Sequence, residues 1–111
     1  GTITPGSWTH VAITISSGIT NGSTFFIDGV ASGTGTYTIT SDDSPLYIGR
    51  YYDSPTYGGW WPGEMDEIAI WDKQLTSCDA IGIYQASSNG TTADLSTVYP
   101  SNLKYYNRMG D

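Results

Sequence analysis

The chain has 111 residues, of which 38% are hydrophobic, 14% aromatic and only 14% charged, and its formal net charge is −7. That is one small domain with apolar matter enough for a core. Eleven acids against four Lys and Arg exclude nucleic acid, whose binding needs clustered cations, and an anionic membrane surface. Few charges with nine Tyr and four Trp exclude disorder. Scarce Leu, Lys and Glu exclude a helical bundle. Ser and Thr make up about a quarter of the chain, and the whole reads as an all-β domain with many turns. Cys78 stands alone, so there is no internal disulfide. No apolar run approaches the ~20 residues of a membrane span. The opening Gly1-Thr2-Ile3-Thr4 has no basic or apolar leader, and the lack of an initiator Met is expected of a mature fragment or excised segment.

In chain order, Trp8 to Ile15 is the first strand. Val11, Ile13 and Ile15 alternate on one face and Trp8, His10 and Ala12 on the other, which predicts a strand covered on both sides. Asn21-Gly22 marks a turn, and Thr24 to Asp28 pairs back as a hairpin, closed by a second turn signal at Asp28-Gly29. Gly33 to Thr40 is a weaker strand with Tyr37 and Ile39 on one face. Pro45 to Arg50 is another, with Leu46 and Ile48 inward and Tyr47 outward. Tyr51 to Gly63 is a loop crowded with aromatics, and Met65 to Asp72 is a clear strand. One helix starts at Thr76, a good N-cap with Asp79 three residues on, and ends near Ser87. Thr91 to Asn102 is loop-like, with a short turn at Asp94 to Val98, and Leu103 to Met109 is a final strand.

Several of these segments together resemble the laminin-G-like, concanavalin A-like jelly-roll superfamily. Trp8-Thr9-His10-Val11-Ala12 is similar to its W-x-H-V-A strand, Phe26-Ile27-Asp28-Gly29-Val30 to its Y-V-D-G hairpin end, and Pro45-Leu46-Tyr47-Ile48-Gly49-Arg50 to its P-L-x-I-G strand. Gly63 to Asp72 is similar to its G-x-I-D-E-V-x-I-W-D strand, and Lys73-Gln74-Leu75-Thr76 leads into the closing helix. The resemblance implies an antiparallel β-sandwich of jelly-roll type with one short helix. It is incomplete, because a full domain has about twice the strands. Residues 1–88 form the C-terminal part of such a domain and 89–102 a linker. Leu103 to Asp111 resembles the opening strand of copies repeated in bacteriophage structural proteins, so 103–111 either closes the sheet or opens a next repeat.

The acids Glu64, Asp66 and Glu67 are the natural place to seek catalysis, since Glu64 and Asp66 fall on one face of the expected strand. Retaining glycosidases need two carboxyls about 5–5.5 Å apart. The superfamily's β-glucanases carry a second glutamate where this chain has Ile68 or Ala69, so the pair is incomplete. Asp66 and Glu67 read better as structural acids near a strand start. His10, the only histidine, reads as a packed, hydrogen-bonded core residue, and no nucleophile elbow is present. Cys78 reads as a small packing residue. The resemblance brings in calcium bound in rim loops, with Asp42, Asp43 and Asp53 as candidates; no other cofactor is called for.

The aromatic loop carries the strongest functional signal. Tyr51, Tyr52, Tyr57, Trp60 and Trp61 offer ring faces for the C–H faces of sugars, and Asp53 a partner for hydroxyls. The same residues suit a protein interface, and Trp60 and Trp61 also suit core cover. Asn21 and Asn89 stand in glycosylation sequons. The leading expectation is a non-enzymatic structural or adhesion module of an extracellular assembly, a phage fibre or decoration component with glycan binding. It would sit on a virion or outside the cell, among other copies or other chains. The alternative is a lectin-like module of a secreted or cell-surface protein, with a glycoside hydrolase a distant third.

Overall fold

The computed structural model describes residues 2–87 and 93–109, apart from the side chain of Ser87. Its elements run β1 (Val11–Thr14), β2 (Ser23–Ile27), β3 (Val30–Gly35), β4 (Tyr51–Asp53), β5 (Thr56–Gly58), β6 (Ile68–Trp71), α1 (Ser77–Ser87), α2 (Leu95–Val98) and β7 (Leu103–Asn107). All pairings are antiparallel: a three-stranded sheet in the order β1-β2-β3, and two-stranded sheets β4-β5 and β6-β7. This is an all-β domain built as an incomplete sandwich. Local chemistry explains the strongest elements. Asp28 and Gly29 both have positive φ (49° and 75°), the conformation a two-residue hairpin turn between twisted strands demands. At the start of α1, Thr76 and Asp79 cap each other. The Asp79 amide donates to Thr76 Oγ1 (3.1 Å), and the Thr76 amide donates to Asp79 Oδ2 (2.9 Å).

Cross-strand register sorts the large sheet into two faces. Ala12 pairs with Phe26 and Thr14 with Thr24, while Val11 pairs with Ile27 and Ile13 with Phe25. The Phe26 side is the core side: α1 packs on β1, and Phe26, Ala80 and Ile83 are buried with Thr14. The opposite face is only partly covered: Val11 is 56%, Ile13 44% and Val30 68% exposed, while Phe25 and Ile27 are half-buried, Phe25 with the edge-on Tyr37 ring 5.8 Å away. The strand covered on both sides is therefore corrected. Among the described residues no second layer lies over the Val11 face, and Trp8, which alternates with Ala12 instead, precedes β1 where pairing has not begun and is also exposed.

Three expected strands are corrected as well. Beyond Gly35 the chain leaves the sheet and is held to the 17–21 turn by single bonds. The Gly18 amide donates to the Tyr37 carbonyl, the Asn21 amide to Thr36 Oγ1 and the Ile39 amide to Ser17 Oγ, each at 2.9 Å. Residues 45–50 form no strand, because no neighbour among the described residues offers them a ladder. Leu46 and Ile48 lie exposed and Tyr47 is half-buried, the reverse of the expected facing. The strand expected from Met65 begins only at Ile68. Glu67 takes a left-handed φ of 52°, and its amide donates to the Asp66 side chain (2.9 Å) instead of to a ladder. β7 lies on β6, reinforced by the Asp72 amide donating to the Asn102 carbonyl (2.9 Å) and by a Lys104–Asp72 ion pair at 3.1 Å.

Candidate functional site

The aromatic segment folds as the β4–β5 hairpin, turned through Ser54-Pro55 with a cis peptide bond. Its register places Tyr52 opposite Tyr57, so their side chains stand on one face. The two ring centroids are 4.8 Å apart, and Tyr47 arrives from the preceding segment at 6.0 Å from Tyr52 and 5.9 Å from Tyr57. Partial desolvation, with Tyr57 next, pushes the Tyr47 phenol above its ordinary value, so its hydroxyl stays neutral and able to donate. Tyr51 pairs with Gly58 and its ring lies on Gly58 and Gly59. At Gly59, with φ of 59°, an added Cβ would run into that ring, which is why glycine stands there.

Arg50 fills the centre of this cluster. Its guanidinium carbon lies 4.1 Å from the Tyr57 centroid, 5.3 Å from Trp60 and 5.4 Å from Tyr47, within cation–π range of all three. Beside it runs an open trough lined by Leu46, Tyr47, Arg50, Tyr51 and Tyr52. Of the six residues expected from sequence, Tyr52, Tyr57 and Trp60 join the Arg50 cluster and Tyr51 borders the trough. Asp53 pairs with Thr56 at the turn, where strand alternation puts it on the other face from Tyr52. Trp61 turns away: its amide donates to the Gly49 carbonyl (2.8 Å) and its indole to the Glu64 carbonyl (3.3 Å). Tyr47 and Arg50 were missed by sequence reasoning. The signal was present in one of the chain's four cations standing directly before a run of tyrosines.

A family model described as the concanavalin A-like lectin/glucanases superfamily matches residues 1–80. The chain belongs to that superfamily. No curated protein matches it. Among solved structures, an S-layer domain-containing protein (residues 221–444) from Clostridium thermocellum ATCC 27405 is similar, with TM-score 0.63 and 26% identity over 76% of this chain. The chain covers only 42% of that structure.

Against this superfamily background the remaining candidates fall into place. Glu64 and Asp66 are exposed and precede β6, so the face they were expected to share on a strand is corrected by the turn at Glu67. Glu67 is engaged: Tyr106 donates to its Oε2, and Arg108 Nε lies 3.4 Å from its Oε1. His10 is half-buried, its ring 5.6 Å from Tyr84, with its backbone amide donating to Asp28 Oδ1 (2.9 Å). Cys78 is exposed on the first turn of α1, which corrects its reading as a packing residue. Asp42 accepts from the Ser44 amide (2.8 Å). Among the described residues, no three His, Cys, Asp or Glu side chains gather as a metal site, so Asp42, Asp43 and Asp53 do not by themselves make a cage for Ca²⁺. Asn21 is exposed in its turn, and Asn89 lies outside the described residues. No helix among the described residues is long and apolar enough to cross a membrane.

Proposed function

We propose that this chain is a non-enzymatic, extracellular structural or adhesion module that contacts glycans through the β4–β5 aromatic cluster. The carrying observation is the open trough walled by Tyr47 and Tyr52 beside Arg50. Ring faces at the surface stack on the C–H faces of sugars, while phenol and guanidinium groups serve hydroxyls. Superfamily membership and the similarity to an S-layer domain support a surface-associated module. Placement in a phage virion, as fibre or decoration component, rests on the resemblance of Leu103 to Asp111 alone; the S-layer likeness favours a cell-surface setting. A catalytic role finds no support in the acids, since Glu67 is committed to Tyr106 and Arg108 and Asp66 to the backbone.

The test is a broad glycan array probed with the folded protein, with Ca²⁺ and then with EDTA. The expected result is specific binding that Tyr52→Ala reduces by about fivefold or more, as loss of a stacked ring worth about 1–3 kcal/mol by analogy with base stacking requires. Loss with EDTA would assign a calcium contribution that the carboxylate placement does not. Binding to no glycan would move the aromatics to a protein interface and overturn the reading.

A further inference from the structure

We infer that the trough takes an acidic saccharide, with a sugar carboxylate seated on Arg50 and the sugar ring against Tyr52. This rests on the glycan reading above and narrows its ligand class. The four cations of the chain are not equivalent. Lys104 is 3.1 Å from Asp72 and Arg108 is 3.4 Å from Glu67, while Lys73 is exposed to solvent beyond β6 with, among the described residues, no ring around it. Arg50 alone is surrounded by rings: among the described residues no carboxylate is within ion-pair distance of it and no side-chain hydrogen bond engages its guanidinium. Aromatic neighbours hold such a group by its face and leave its edge donors unspent. That edge presents a planar fork matched to two carboxylate oxygens.

Arg50 is also half-buried and lines the trough, so a charge brought to it is attracted more strongly than at a fully wet surface. The trough is open along one side and offers about 460 Å³, room for a sugar ring lying along its rings rather than a ligand enclosed by it. The net charge of −7 opposes an anionic ligand at long range, but screening over about 8–10 Å confines that repulsion. It also raises the demand on the local cation: acid preference should depend on Arg50 rather than on the general field.

The experiment compares oligogalacturonate with its carboxyl-reduced counterpart, which keeps the sugar skeleton and removes the charge. Wild-type protein is expected to bind the acidic form about tenfold or more tightly. Arg50→Gln should erase that preference while still binding the reduced form, which also serves as its control for folding, and Arg50→Lys should restore part of it. Tyr52→Ala should weaken both forms together. Equal binding of the two forms by wild type, or a preference that survives Arg50→Gln, overturns the acidic ligand and leaves glycan binding intact. Binding of neither form here and of no glycan on the array overturns both.

Discussion

At the scale of single residues, His10 carries the clearest titration. Its Nδ1 is buried and has no hydrogen-bond partner among the described residues. Burial lowers its pKa below the ordinary imidazole value, and the charge of Asp28 only partly offsets that. The unfolded chain, with its imidazole near 6.5, therefore takes up the proton first as pH falls. Stability is fully present above the unfolded pKa and declines from there until the lower folded pKa is reached. The melting temperature should drop between pH 7.5 and 5.5, and His10→Gln should flatten that slope. An unchanged slope in the variant would assign it to another group. The sequence made a packed histidine legible from its apolar neighbours. The orphaned nitrogen was not legible, because it depends on Tyr84, a helix residue far along the chain that packs beside the ring.

Among the elements, those written in short-range chemistry were readable. Thr76 and Asp79 start α1, Asp28-Gly29 turns β2 into β3, and Asp94 caps α2 through the Ser96 amide at 3.0 Å. Elements needing a distant partner were not. Residues 45–50 carry strand-like alternation but find no ladder, and the Arg50 cluster forms only once the β4–β5 hairpin brings Tyr57 back to Tyr52. The tie between β6 and β7 is equally long-range. Tyr106 donates to Glu67, 39 residues earlier, and also approaches the Ala93 carbonyl at 3.3 Å. Burial, then Glu67, raises the Tyr106 phenol above its ordinary value and keeps it a donor. Tyr106→Phe should leave the half-buried carboxylate short of one donor, at a cost of about 1 kcal/mol after allowance for partial exposure. Amide exchange should accelerate across Leu103–Asn107 ahead of β2 and β3. Uniform acceleration throughout would mean that β7 opens only with the whole fold.

For the whole molecule, the decisive asymmetry is between the two faces of the β1-β2-β3 sheet. Apolar residues on both faces were evident from Trp8 to Ile15, but alternation says only that a face is apolar, never what covers it. One side holds Phe26 at 1% exposure, with α1 packed on the sheet; the other leaves Val11, Ile13 and Val30 in contact with solvent. Magnitudes separate the two. Phe26→Ala should cost about 3–5 kcal/mol through lost transfer and a cavity, a large fraction of the ~5–15 kcal/mol that holds a typical domain. Val11→Ser with Ile13→Thr removes side chains about half exposed already, so the loss per area is a fraction of the full burial value of about 25 cal/mol/Å². The double variant should keep an unfolding free energy from urea titration within about 1 kcal/mol of wild type, bind less of an apolar-surface dye such as ANS, and aggregate more slowly. A midpoint lowered as far as that of Phe26→Ala would mean instead that this face is covered in the protein in solution.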